Sequence, residues 1–172
     1  CQGDIARHDT RIIGLAVLKG FFSLISEDPV SYVNAPSLAK AAGITMREIN
    51  TTNTDEYVNL ITLRCENHHS ISGTLAGRRS EQRIVEIDGH TFDVPPAEHM
   101  LVITNDDRPG VIGTVGMLLG DAGINIADMD VGRVSGGDTA VMLLATTTEV
   151  PPAVIDSLRA APGVLSVQEL LG

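Results

Sequence analysis

The turn Asn105-Asp106-Asp107-Arg108-Pro109-Gly110-Val111 holds the residues whose types and spacing best suit chemistry. An apolar run at 100–104 precedes it and a helical pattern follows, so it joins a strand end to a helix start. A helix start leaves backbone N–H groups unpaired, here at Gly110, Val111 and Ile112, and its dipole favours negative charge. Those groups suit a carboxylate. The Asp107 carboxylate suits an ammonium, and the amides of Asn105 and Asn125 add neutral donors and acceptors. Together they match one small amino acid. A plainer reading stays open: Asp106 or Asp107 caps the helix, and Asn125 turns the chain.

Other chemistry lacks its residues. There is no Walker loop, no His-Glu-x-x-His, no Cys-x-x-Cys and no Gly-x-Ser-x-Gly. Gly110, Gly113 and Gly116 resemble a dinucleotide loop, with Asp128 where a ribose acid would stand, but the spacing is not Gly-x-Gly-x-x-Gly. Gly113, Gly116 and Gly120 share one helix face, which close packing on a neighbour explains. His68 and His69 are adjacent, so on a strand they point apart and read as turn or surface residues. Cys65 reads as a small buried hydrophobe. No catalytic set and no metal-ligand set emerges.

The elements that must position the turn read as an α+β chain of two small domains. A short strand at 2–8 precedes helices at 10–27, capped by Asp9 or Thr10, and at 36–42, capped by Asn34. Strands follow at 44–51, 57–65, 69–77, 82–87 and 90–94, with Asp88-Gly89 as a hairpin turn. Pro95-Pro96 breaks the pattern, dividing the chain into 1–96, an antiparallel-sheet α+β domain, and 97–172. The second part reads as βαββαβ, a ferredoxin-like order: strand 100–104, helix 109–122, strands 124–134 and 139–147 around Gly136-Gly137-Asp138, helix 151–161, strand 164–170.

Composition narrows the function classes. Of 172 residues 43% are hydrophobic and 3% aromatic, so cores must be aliphatic. The net charge is −10, with 9 basic and 12 acidic residues before position 97, and 3 and 10 after. Such a surface repels phosphate backbones, which argues against nucleic acid as a partner. No run reaches membrane-span length, and two cysteines fit a reducing, cytoplasmic setting. Opening on Cys rather than Met reads as a fragment or a processed product.

Two sets of motifs then identify families. Asp107-Arg108-Pro109-Gly110-Val111-Ile112-Gly113 with Gly123-Ile124-Asn125-Ile126 resembles an ACT domain, an amino-acid-sensing module. Val33-Asn34-Ala35-Pro36, Ser72-Gly73-Thr74-Leu75 and Arg83-Ile84-Val85-Glu86-Ile87-Asp88-Gly89 resemble the intervening, allosteric-substrate-binding-type domain of long-form D-3-phosphoglycerate dehydrogenases. Met129-Asp130-Val131-Gly132-Arg133 fits the same family. The resemblance implies a parent enzyme of L-serine biosynthesis that uses NAD, with the catalytic part preceding Cys1 and no cofactor in this stretch. It implies feedback sensing of L-serine where two ACT domains pair in a homo-oligomer, with contacts from Asn105, Asp107 and Asn125. Relatives often carry His or Tyr at the Asn105 position. It also implies a candidate anion site at Arg83, with Arg78 and Arg79 nearby in sequence. The rival readings are an ACT-containing L-serine dehydratase subunit, whose Ser- and His-rich signature is absent, and an oligomerisation module without a ligand.

Overall fold

The structure is a computed structural model describing residues 1–54, 56–67, 69–133 and 139–171. His68 and the turn Gly136-Gly137-Asp138 lie outside the described residues. Two compact units form, Cys1–Ile61 and Thr62–Gly172. Compactness thus divides the chain elsewhere than at Pro95-Pro96.

In the first unit, β1 (Gln2–Gly3) leads into a short 3-10 turn (Asp4–Arg7), so the strand expected at 2–8 ends after two residues. Helix α1 (Arg11–Ser23) buries Gly14, Leu18 and Phe22, spaced four apart. Leu18 and Phe22 meet Ala35 and Ala39 of α2 (Ala35–Ala41). Asp9 accepts the Arg11 N–H at 3.1 Å, the capping role expected near this position. The helix stops before residue 27 because Ser26 Oγ binds the backbone of Asp28, a local alternative to another turn. Asn34 does not cap α2: its Oδ1 accepts the Ser31 N–H at 2.7 Å instead. The strand expected at 44–51 is reduced to one bridge, Gln2 with Thr51, since the neighbouring β1 offers only two residues to pair. Strand β2 (Asn59–Arg64) starts in this unit, pairing with β1 at Asn59 and Leu60.

The second unit opens with the meander β3 (Ser70–Ala76), β4 (Glu81–Ile87) and β5 (His90–Val94). Asp88 and Gly89 take φ of 50° and 79°, the twist a two-residue hairpin requires. Cys65 is exposed, not buried: it follows β2 in a tight turn where its N–H meets the His69 carbonyl at 2.8 Å. A second antiparallel sheet follows, built from β6 (His99–Asp106), β7 (Ile126–Arg133), β8 (Thr139–Thr146) and β9 (Val164–Leu171) in the order β7-β8-β6-β9. Helix α3 (Val111–Asp121) links β6 to β7, and α4 (Pro152–Arg159) links β8 to β9. This is the βαββαβ arrangement expected from the sequence.

Strand β8 explains why its sequence is almost unbroken aliphatic. Met142 and Leu144 face a core with Val115 and Leu119 of α3 and Ile155 and Leu158 of α4. Val141, Leu143 and Ala145 face the opposite way, onto Ile84, Ile87, Phe92 and Val94 of the meander. A strand covered on both faces has no position where a polar residue could reach water. Each fully buried Leu there is worth about 1.5–3 kcal/mol of burial.

The sheet-to-sheet contact has a tight point at Gly132. A Cβ there would lie 2.9 Å from the Phe92 ring and 2.9 Å from the Thr91 carbonyl. At Gly113, Gly116 and Gly120, by contrast, an added Cβ meets nothing within 4 Å among the described residues. Packing inside the chain does not account for those three glycines. The sequence marks both sites as glycine but not which one is crowded.

Candidate functional site

Asn105 stands near the end of β6, with Leu101 and Ile103 on the same face, and only 3% of it is exposed. Its Nδ2 donates to the Asp106 carbonyl at 2.7 Å, while its Oδ1 is buried with no partner among the described residues. A buried acceptor left unpaired costs free energy, so this oxygen suits a donor from outside the described residues. Asp106 N–H meets the Gly163 carbonyl at 2.8 Å, and the Asp106 carboxylate pairs with the Arg108 guanidinium. Arg108 is therefore tied back along the turn. Asp107 is exposed.

The Asp106 carboxylate is taken up by Arg108. The cap is Gly110, left-handed at φ 98°, which a residue with a Cβ adopts only under strain. The first helical bond runs from Thr114 N–H to the Gly110 carbonyl at 2.9 Å. The N–H groups of Val111 and Ile112 thus lie ahead of the helix's own ladder. Val111 is buried, with its side chain against Gly163, and Ile112 is 44% exposed.

The structure brings Asn105, Asp107, Gly110, Val111 and Ile112 to one end of the second sheet. Asn125 stands at the other. Register fixes this: Asn105 pairs with Ala140 and Arg133 pairs with Ala140, whereas Ile126 pairs with Thr146. Asn125 precedes Ile126, so it lies roughly 20 Å along the strands from Asn105. It is exposed, and its carbonyl accepts the Thr147 N–H at 3.0 Å. A shallow cavity of about 200 Å³, lined in part by His99, Thr146, Glu149 and Glu169, sits at that far end and includes none of the candidate residues.

Arg83 on β4 is engaged by two carboxylates, Glu81 at 2.9 Å and Asp93 at 3.7 Å. Arg78 and Arg79 are exposed in the turn between β3 and β4. At the next turn, Asp88 accepts the Ser70 N–H at 2.7 Å and meets His69 Nδ1 at 2.8 Å. Burial pushes the Asp88 carboxyl up, but the Ser70 and His69 contacts outweigh it and hold the group below its ordinary value. No group of three or more metal-ligating side chains occurs among the described residues. No helix among them is long and apolar enough to cross a membrane.

Sequence reading missed the work of Asp128 and Asp130. Asp128 Oδ1 accepts the Met129 N–H at 2.8 Å, and Asp130 Oδ1 accepts the Val131 N–H at 2.7 Å. Asp130 Oδ2 also accepts the Asp93 N–H of β5 at 2.8 Å. The available signal was an acidic pair at i, i+2 on a strand.

Residues 1–88 match the family described as D-3-phosphoglycerate dehydrogenase intervening domain, and residues 99–163 match the ACT domain. The D-3-phosphoglycerate dehydrogenase of Mycobacterium bovis is 34% identical over 93% of this chain and 31% of its own length. That of Bacillus subtilis is 35% identical over 97% of this chain and 32% of its own. For Methanocaldococcus jannaschii the identity is 37%, over 96% and 32%. This chain therefore spans about a third of the length of these curated relatives. Among solved structures, the ACT domain from GTP pyrophosphokinase of Chlorobium tepidum aligns with 42% of this chain and 95% of its own, at 19% identity and a TM-score of 0.36. Matched over more than half its length by the intervening-domain family and then by ACT, the chain belongs to the D-3-phosphoglycerate dehydrogenase family and carries its intervening and ACT regions.

Proposed function

We propose that this chain is the regulatory region of an NAD-dependent D-3-phosphoglycerate dehydrogenase of L-serine biosynthesis, and that it senses a small amino acid, L-serine, at a site shared by two copies. The relatives' names support the parent activity. Domains at 1–96 and 97–172 remain our division, the second being the sensor. NAD belongs to a part of the parent outside this chain. The turn at Gly110 does not fit a dinucleotide, because Gly110, Gly113 and Gly116 are not spaced as Gly-x-Gly-x-x-Gly.

The observation that carries the shared site is the separation of Asn125 from Asn105 along one sheet. One chain cannot close both around a ligand of a few ångströms. An antiparallel two-fold pairing along the edge strand β7 sets the second copy's strand start beside this chain's strand end. The second copy's Asn125 then reaches the end that holds Asn105, Asp107 and the α3 N-terminus. The ligand carboxylate sits over the Val111 and Ile112 N–H groups, its ammonium meets Asp107, and Asn125 of the second copy completes the contact. The buried Asn105 Oδ1 supplies an acceptor at the base of this site.

An anion site at Arg83, with Arg78 and Arg79, is a weaker part of the proposal. Any anion there competes with Glu81 and Asp93, which already hold the guanidinium.

Calorimetric titration with L-serine tests the main reading. Asp107→Ala removes a charge-assisted bond, expected to cost about 1.5–3 kcal/mol, or about 10- to 150-fold in affinity. Asn125→Ala should weaken binding without touching the turn that holds Asp107. Unchanged affinity in folded variants overturns the assignment. Absence of wild-type binding at millimolar serine favours the oligomerisation module.

A further inference from the structure

Residues 44–49 have the side-chain pattern of a strand without a sheet to join. Met46 and Glu48 both address helix α1: a Cβ added at Gly14 would lie 2.6 Å from Met46 Cε and 2.7 Å from Glu48 Oε1. Asn50 Nδ2 donates to Thr10 Oγ1 at 2.8 Å, and that hydroxyl donates to Glu48 Oε2 at 3.4 Å. Side chains that return to one neighbour at every second residue mark extended backbone. Every residue from 44 to 49 is nonetheless exposed. The N–H groups of Arg47 and Ile49 meet no backbone acceptor among the described residues.

Pairing begins only where this segment ends. The Cys1 amino group donates to the Ile49 carbonyl at 2.8 Å. Thr51 N–H meets the Cys1 carbonyl at 3.0 Å, and Gly3 N–H meets the Thr51 carbonyl at 2.9 Å. This is the start of a parallel ladder, with Gln2 opposite Thr51. On its other side β1 pairs antiparallel with Asn59 and Leu60 of β2. A strand with a neighbour on each side is an interior strand, and two residues is short for one. Carried backward in the same register, the second residue before Cys1 gives its N–H to the Arg47 carbonyl and accepts the Ile49 N–H. The fourth residue before Cys1 does the same with Thr45 and Arg47. Those two positions fall opposite Glu48 and Met46, so their side chains take the α1 side.

We infer that residues 44–49 are a docking strand for the polypeptide that the parent supplies ahead of Cys1, taken up in parallel as an extension of β1. The occupant is an extended segment of about four residues, apolar at the second and fourth positions counted back from Cys1. Two observations favour it over a separate partner. It is continuous with the ladder that Cys1 and Gly3 already make. This chain also spans 31% and 32% of two curated relatives, so a parent of that size has polypeptide to supply. The rest of the parent then enters this unit as a held strand, not a loose tether. A shift of that part reaches residues 44–51 and α1 through hydrogen bonds. The inference goes beyond amino-acid sensing and stands apart from it, since it concerns the first unit alone.

Amide hydrogen exchange by NMR on the 172-residue chain, and on two versions lengthened at the N-terminus, tests this. One version carries Thr-Val-Thr-Val-Thr ahead of Cys1, which puts valine at the second and fourth positions. The other carries Thr-Pro-Thr-Pro-Thr, which removes the two N–H donors of the ladder. The valine version should slow exchange at Arg47 and Ile49 by about tenfold or more. It should also raise the melting temperature by roughly 2–4 °C. The proline version should match the 172-residue chain in both measurements. Exchange left unchanged by the valine extension would overturn the inference, as would equal protection in the two lengthened proteins. Protection of Arg47 and Ile49 that is already present in the 172-residue chain and fades on dilution would give the strand to a second copy. That result too would overturn the assignment to the preceding polypeptide.

Discussion

The two compact units differ in what holds them together. The second has two cores, one between sheet and helices and one between the two sheets, with Leu143, Leu144, Met142 and Leu158 at 0% exposure. The first rests on four buried apolar residues, Leu18, Phe22, Ala35 and Ala39, two of them alanines. It leaves Leu24, Ile25, Val33 and Ile49 between 62% and 87% exposed. The lesson is that chain length does not set self-sufficiency; layers that cover both faces of a strand do. Leu143→Ala should therefore cost about 2–5 kcal/mol in denaturant unfolding, because both sheets flank the cavity it leaves. Ile25→Ala, at 65% exposure, should stay within about 0.5 kcal/mol. If Ile25→Ala proves as costly as Leu143→Ala, another chain covers the first unit's outer surface and the contrast fails.

Glycine sharpens the comparison within the second unit. Gly132→Ala drives a methyl group against a ring and a backbone oxygen, and the oxygen cannot rotate away. It should destabilise by about 1–3 kcal/mol. Gly116→Ala enters open space on α3 and should stabilise by up to about 1 kcal/mol through helix propensity. Thermal melts of the two variants should thus shift in opposite directions. A destabilising Gly116→Ala would mean a neighbouring molecule packs against that face.

Much of this was legible in the sequence, and the misses share a cause. The βαββαβ order and the Asp88-Gly89 turn follow from local periodicity and turn chemistry. What failed depended on a partner distant in sequence. The strand expected at 44–51 has suitable residues but only Gln2 to bridge. Cys65 looks like a strand residue but falls just past the end of β2. Asp106 looks like a cap, yet it pairs with Arg108 and the left-handed Gly110 starts the helix. The candidate site was half visible: the residues of the turn are contiguous, but the register that sends Asn125 to the far end of the sheet exists only once four strands pair. The backbone contacts of Asp128 and Asp130 were not legible, because nothing in a single strand says which N–H groups its side chains meet.

The smallest effect concerns the turn that begins the second unit's meander. Asp88 joins the start of β3 to the β4–β5 hairpin through Ser70 N–H and His69. Its carboxyl is held below the ordinary value of 3.8. A carboxylate whose pKa is lowered on folding stabilises the native state above the unfolded value, and that contribution is lost as pH falls through the folded one. The loss should therefore appear as a drop in melting temperature on going below pH 3.8, not near neutrality. Asp88→Asn isolates the charge. Asparagine tolerates the positive φ of this position and keeps an oxygen for the Ser70 N–H, so the turn itself survives. The variant should melt slightly below the wild type at neutral pH and show a shallower decline in acid. Parallel acid profiles for the two proteins would mean that the Asp88 charge contributes nothing, and that the hairpin is held by its backbone geometry alone.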